Sequence, residues 1–376
     1  MKLRQIPEDF IVEEIASKEL KEKGRIAIYN VVKTGLTTPF AAKILARYLN
    51  LSSKNVKSAG LKDRHAKTTQ YFSAETHRAK AGNFKEKNIT SELVGFSSEQ
   101  LKTGDLVGNK FTITVRDVKK ALKNKEIEIP NYFDSQRFGS LKGLNDFIAK
   151  DVIKNNYESA VKKFITAVTR HQKSNLRELK KFVQANWGNW RACLQKVENL
   201  KLKGTQEEVI INHLLKSDKD FKGAFKLIPK TLREMFFSAY QSYIWNECIK
   251  LLVKENSSES FQVKYEAGRL VFARSWKSKL KFDKFEMVAP EMKVDENKMK
   301  IINMVLRKEG LKLEDFKVED YLFKAHEREI LVKPKNFSIS ELEDDEVNRG
   351  KQKITVSFEL PKGSYATIVL KFVFEE

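Results

Sequence analysis

The chain holds only two cysteines, seven prolines and five histidines in 376 residues. Cys193 and Cys248 stand far apart, and neither Cys-x-x-Cys nor His-Glu-x-x-His spacing occurs, which argues against a disulfide framework and against a zinc site. None of His65, His77, His171, His213 and His326 has metal spacing, so each alone reads as a surface or packing residue. Phosphate-cradling loops are missing too: there is no Gly-x-x-x-x-Gly-Lys and no Gly-x-Gly-x-x-Gly. Nucleotide-driven motors are thereby excluded, and a dinucleotide-dependent dehydrogenase or a glycine-loop methyltransferase finds no support. No run of ~18 apolar residues occurs, and Met1 to Phe10 lacks the apolar core of a signal peptide. The expectation is a cytoplasmic protein that makes no use of a membrane.

Acidic residues are also in deficit, 50 against 71 basic, for a formal net charge of +21. The excess divides almost evenly at Asn155, so no single tail carries it. An even spread suits an extended footprint on folded RNA or DNA better than a tethered basic arm does. Against this background 41% hydrophobic residues, 25 of the total being Phe, supply a real core. The length points to two domains, one of them inserted in the other.

Residues up to about 150 read as mixed strand and helix. Phe10 to Ile15 and Ile26 to Val32 are strand-like, and Pro39 to Leu49 forms a helix after the Thr37-Thr38 cap signal. Phe111, Ile113 and Val115 alternate with polar residues, which predicts a half-buried strand. Ile129-Pro130 ends the pattern, and a loop carries Asn131 to Gly139. Helices then take over at Tyr157 to Arg170, Asn175 to Ala185, Glu207 to Leu215 and Thr231 to about Lys254. A strand at Arg269 to Ala273 and a helix at Glu296 to Lys308 follow. Alternation in Lys353 to Leu360 and again in Thr367 to Phe374 predicts two closing strands. The acidic run Glu341 to Glu346 reads as a solvated segment kept away from phosphates.

Three clusters could carry chemistry. Gly60 to Thr69 places Asp63 among Lys62, Arg64 and Lys67; neighbouring positive charge favours an ionised carboxylate, able to act as nucleophile or base beside a polyanion. Asp also stabilises plain turns, so this run alone leaves both readings open. Arg4 to Glu13 reads as a turn into a strand. Asn131-Tyr132-Phe133-Asp134-Ser135-Gln136-Arg137-Phe138-Gly139 mixes aromatics, amides and a guanidinium, a set suited to stacking on a base and holding phosphates, or else to packing a loop.

Taken in order, these clusters resemble a known family. Arg-x-x-Pro-Glu-Asp-Phe-x-Val-x-Glu at 4 to 14, Ala-Gly-Leu-Lys-Asp-Arg-His-Ala-x-Thr-Thr-Gln at 59 to 70 and Asn-Tyr-Phe-x-x-Gln-Arg-Phe-Gly at 131 to 139 look like its successive motifs. So do Ser-Ala-Tyr-Gln-Ser-Tyr-Ile-Trp-Asn at 238 to 246 and Leu-Pro-Lys-Gly-Ser-Tyr-Ala-Thr at 360 to 367. The family is the TruD family of tRNA pseudouridine synthases, and archaeal members resemble this chain in the helical stretch after the Asn131 motif. One departure is Ile26, where the family pattern has His.

The resemblance implies an α+β pseudouridine synthase fold, a mainly antiparallel sheet flanked by helices, with a largely helical inserted TRUD domain. The expected catalytic domain is 1–155 plus 329–376, and the expected insertion is 156–328. It implies cofactor-free and metal-free isomerisation of a uridine in tRNA, usually at position 13, with tRNA and in some members other RNAs as partners. Asp63 becomes the catalytic carboxylate, Arg4 its pairing cation and Phe133 the ring that stacks on the target base, while Asn131 holds the neighbouring loop or base. Lys33, Lys62, Arg64, His65, Lys67, Gln136 and Arg137 are assigned to RNA or to posture around the site. The Ser238 to Asn246 helix is expected to pack between the insertion and the catalytic core. Attack at C1′ and removal of the 2′ proton both remain open, and a monomer is the expected state. The competing reading is a non-catalytic RNA-binding protein on the same fold.

Overall fold

The computed structural model describes residues 2–17, 20–75, 82–119, 126–169, 172–319 and 321–375. In chain order the first elements are β1 (Phe10–Ala16), β2 (Ile26–Thr34), α1 (Thr38–Tyr48), β3 (Val56–Ser58), β4 (Lys67–Glu75), β5 (Phe84–Glu86), β6 (Ile89–Ser97), β7 (Leu106–Val118) and β8 (Ile129–Pro130). Helices follow as α2 (Ile148–Ile153), α3 (Tyr157–Thr166), α4 (Ser174–Ala185), α5 (Trp190–Asn199), α6 (Gln206–Lys216), α7 (Phe221–Lys226) and α8 (Lys230–Asn256). After them come β9 (Ser257–Tyr265), β10 (Gly268–Trp276), β11 (Lys284–Glu286), α9 (Glu296–Glu309), β12 (Glu327–Glu329) and β13 (Leu331–Val332). The chain closes with β14 (Lys335–Ile339), β15 (Glu343–Asp344), β16 (Gln352–Pro361) and α10 (Ala366–Glu375).

Contacts divide the chain into two compact units, Met1–Glu128 with Val332–Ala366, and Ile129–Leu331 with Thr367–Glu376. The division falls at Ile129, so the Asn131 motif belongs to the second unit. The reason lies in Pro130, which ends the strand pattern, and in the side chains beyond it, which bond to α8 and β10.

The first unit is one sheet in the order β14-β16-β7-β1-β4-β2-β6-β5, with β15 beside β16 and β3 beside β4. All of its pairings are antiparallel except β1 with β4, where Ile11 lies opposite Lys67 and Glu13 opposite Thr69. Alternation in β2 turns Ala27, Tyr29 and Val31 to one face, and α1 covers them with Ala41, Leu45 and Ala46. The helix starts where expected: the Thr37 hydroxyl accepts from the Phe40 amide, with Pro39 in its first turn.

The acidic run is corrected at one residue, Asp345. Asp345 is 4% exposed and, with Glu346, receives the buried Arg116 guanidinium at 2.6 and 2.9 Å; Asp9 takes the same guanidinium at 2.7 Å. Glu341, Glu343, Asp344 and Glu346 are exposed as expected, but near the end of β7 Arg116 is buried, out of phase with Phe111, Ile113 and Val115, and Asp345 and Glu346 neutralise it. Burial alone would raise the Asp345 carboxyl; hydrogen bonds from Asn348 and Arg116 outweigh it and hold the group below the usual range. Arg116 and Lys353 together hold Glu346 at about 2.

The second unit is mainly helical. α8 is its axis, 27 residues buried on almost every side, with Trp245 donating to the Phe285 carbonyl and Gln241 to those of Val288 and Lys324. These contacts of Gln241 and Trp245 lie inside the unit. The β9–β10 hairpin and the antiparallel pair β11–β12, whose strands are separated in sequence by α9, belong to the same unit.

The closing segment is a second correction. Thr367 to Phe374 forms α10, not a strand, with Ile368, Val369, Leu370 and Phe372 buried. A short run that is apolar at nearly every position satisfies period two and period 3.6 equally; burial on several sides favours the helix, which pairs its own backbone. α2, α5, α7 and β9 had no expectation in the sequence. The predicted helix through Arg170 ends at Thr166, and Arg170 itself lies outside the described residues, as do His77 and His171.

Candidate active site

The parallel pairing of β1 and β4 determines which side chains meet. The segment entering β1 carries Arg4, and the segment entering β4 carries Asp63; because the strands run the same way, both lead-ins lie at one edge of the sheet. There Arg4 Nη1 stands 2.8 Å from Asp63 Oδ2, with the side chains 30% and 19% exposed. The other carboxylate oxygen, Oδ1, accepts from the His65 backbone amide at 2.9 Å. One lone pair on each oxygen is thus committed, and the carboxylate keeps an open side toward solvent.

Arg4 is held from both directions. Its guanidinium lies over the Phe10 ring, 4.1 Å from the centroid. Its φ is 56°, in the left-handed region, which costs a residue other than glycine about 1–2 kcal/mol. The following turn is fixed by Asp9 Oδ2, which accepts from the amides of Gln5 and Ile6 at 2.9 and 3.2 Å. Before it, Lys2 and Arg116 exchange backbone hydrogen bonds. Arg116 and its three carboxylates therefore anchor the turn that presents Arg4.

The Asp63 turn is held as firmly. Gly60 O accepts from Gln70 Nε2, whose Oε1 accepts from the Thr38 hydroxyl, and Thr38 Oγ1 accepts from the Lys62 amide. Lys62 Nζ is spent inside the unit, 2.8 Å from Glu14 and 2.7 Å from Asn109 Oδ1. Lys33 is fully buried and donates to Leu36 O at 2.7 Å and Asp63 O at 3.3 Å. Burial pushes its ammonium down to about 8, with Asp63 opposing the shift and Lys62 adding to it. Neither lysine is available to a phosphate, so posture is the role left to both. Arg64, His65 and Lys67 are exposed, Arg64 Nε reaching Gly35 O at 3.4 Å.

Glu14, Asn109, Thr38 and Gln70 hold this site and were given no role there from the sequence. Glu14 had a usable signal: it occupies the buried phase of β1 with Phe10 and Val12, where a carboxylate demands a partner. Leu61, 80% exposed, stands two residues before Asp63.

In the second unit, by itself, Phe133 is 7% exposed and meets Trp245 edge to face at 5.6 Å. Arg328 lies 4.1 Å from the Phe133 ring centroid, and its Nε and Nη2 donate to the Asn131 carbonyl and side chain. Asn131 thus holds the neighbouring loop. Asn246 brackets Phe133, accepting from its amide at 2.9 Å and donating to its carbonyl at 2.8 Å. Arg137 Nε donates to Ser242 Oγ, Lys371 pairs with Asp134, and Gln136 is exposed. Among the described residues no helix is long and apolar enough to cross a membrane.

A family model described as tRNA pseudouridine synthase D (TruD) matches residues 1–373. The whole chain is 41% identical to "Probable tRNA pseudouridine synthase D 2" of Methanocaldococcus jannaschii, covering 92% of that protein. It is 31% identical to tRNA pseudouridine synthase D of Aquifex aeolicus, over 100% of this chain and 98% of that one. A crystal structure assigned to TruD of Methanosarcina mazei superposes with a TM-score of 0.75 at 27% identity, covering 100% of this chain and 93% of its own. On the strength of the full-length match, the chain belongs to the TruD family of tRNA pseudouridine synthases, isomerases that convert uridine in tRNA to pseudouridine.

Proposed function

We propose that Asp63 is the carboxylate that carries this isomerisation, that Arg4 holds it, and that the target is the uridine at position 13 of tRNA. The Arg4–Asp63 ion pair at 2.8 Å is the observation that carries the reading. It is buried enough to be oriented and open enough to be reached. An ionised carboxylate at the lip of a basic surface is what cleavage of the C1′–N1 bond requires, whether it attacks C1′ or takes the 2′ proton. The freed uracil then rejoins C1′ through C5, and the C5 proton leaves to solvent. No external electron or group donor enters the balance.

On this reading residues 1–155 with 329–376 form the catalytic domain and 156–328 the inserted TRUD domain. Phe133 serves as the stacking ring for the base, a contact worth about 1–3 kcal/mol. The exposed Arg64, His65 and Lys67 supply phosphate contacts, which salt weakens. The test is Asp63→Asn, read as tritium release from tRNA labelled at uracil C5. Isomerisation is expected to vanish with tRNA affinity kept within a few-fold; a fully active variant refutes the assignment. Mapping pseudouridine in the product tRNA checks position 13.

A further inference from the structure

Lys33 departs from the rule that buried charges are paired. It ends the apolar stripe Ala27, Tyr29, Val31 of β2, is 0% exposed, and forms no ion pair among the described residues. Both acceptors of its ammonium are main-chain carbonyls, one of them that of Asp63 itself. Thr68, directly opposite on β4, has a buried hydroxyl oxygen without a partner, so the cation's surroundings offer oxygen dipoles and no contact anion. Burying an ammonium costs several kcal/mol, and methionine would fill the same space without that cost. A fold has no use for such a group unless its charge or its hydrogen bonds do something that packing does not.

The geometry points to a positioning role: we infer that protonated Lys33 clamps the Asp63 carbonyl to the turn at Leu36, sets the direction of the Asp63 carboxylate, and gives turnover an alkaline limit when its proton is lost. The inference rests on Asp63 being the reacting group. A neutral amine still has two donors, but it loses the charge assistance that roughly doubles a hydrogen bond, and it loses its attraction to the carboxylate of the same residue, three bonds from the carbonyl carbon. Misplacing a reacting group by about 1 Å costs on the order of a hundredfold in rate.

The neighbouring charges leave Lys33 as the group that titrates. From the 59–66 turn, Asp63 favours its charge and Lys62 opposes it, while Arg64 is exposed. On β4, Lys67 is exposed, and on β6 the register partner is Ile89, with Glu92 exposed beyond it. On α1, Lys43 and Arg47 are exposed. Arg4, from the segment before β1, is bound to Asp63. Burial dominates and brings Lys33 down to about 8.

The experiment is single-turnover tritium release by the full chain and by Lys33→Met across about pH 6.5 to 9.5. The parent rate should fall about tenfold per pH unit above about pH 8. Lys33→Met should bind tRNA within a few-fold of the parent, react roughly a hundredfold more slowly near neutrality, and show no such fall. Lysine carbon-13 NMR should show one resonance titrating near pH 8 that the variant lacks. Should Lys33→Met not fold, Lys33→Arg decides, because its permanent charge must remove the alkaline fall. A variant as fast as the parent overturns the inference. So does a fall that persists in Lys33→Met, which would place it on another group such as the uracil N3–H. Failure of the Asp63 reading looks different: Asp63→Asn would then be active whatever Lys33 does.

Discussion

Replacing Arg116 with Leu tests whether the buried charge cluster anchors the Arg4 turn. In the native protein one guanidinium, 2% exposed, faces Asp9 and Asp345, whose side chains are 1% and 0% exposed, at 2.7 and 2.6 Å. Leucine fills much of the volume and leaves two carboxylates buried without their cation. Removing one partner of a buried pair costs about 3–5 kcal/mol, because the remaining charge stays desolvated. For a unit of roughly 150 residues or more, each kcal/mol lowers Tm by about 2–4 °C, so the expected loss is about 6–20 °C. Differential scanning calorimetry measures it. The variant should also lose activity below its Tm, since Asp9 then no longer fixes the Gln5 and Ile6 amides that shape the Arg4 turn. The acid side gives a second check. Asp345 and Glu346 have depressed folded pKa values, so the unfolded chain binds more protons in that range. Their stabilisation is full above the ordinary carboxylate range and is lost as pH falls, for Glu346 from 4.5 toward about 2. In Arg116→Leu this acid dependence should flatten. A Tm within about 2 °C of the parent, with the acid dependence intact, would refute the reasoning.

Three further outcomes follow from the same contacts. Arg4→Ala removes a charge-assisted hydrogen bond worth about 1.5–3 kcal/mol, so kcat should fall roughly 10- to 150-fold while the fold survives; an unchanged kcat removes Arg4 from the site. Arg4→Lys should restore only part of the rate, because an ammonium is a point charge and stacks less well over Phe10. Asn246→Ala strands the buried amide and carbonyl of Phe133 and should destabilise by about 2–4 kcal/mol in urea, at about 1–2 kcal/mol per unsatisfied group; a loss below about 0.5 kcal/mol would mean the bracket carries no weight.

Local pattern carried much of the architecture. β1, β2 and α1 were legible because alternation and a Thr-Pro cap act within a few residues, and α4, α6, α8 and α9 because their apolar faces or flanking signals repeat. α10 was misread because an almost wholly apolar run has no period to choose by. In the run Glu341 to Glu346, Asp345 alone was misread, for a different reason: its partner Arg116 lies more than 200 positions earlier, and nothing local reveals a buried cation on another strand.

Of the candidate site, residue types and motif order named Asp63 and Arg4, and a carboxylate among cations was visible in the sequence alone. That the two pair was expected only through the family resemblance, since nothing in residue type or chain order brings them together. That contact was decided by a single parallel pairing, β1 with β4, in a sheet otherwise antiparallel, which places two lead-in segments roughly sixty positions apart at the same edge. The same tertiary arrangement buries the Lys33 and Lys62 side chains, which the sequence left open to RNA or to posture around the site, since burial is a property of what packs against a side chain and not of its charge.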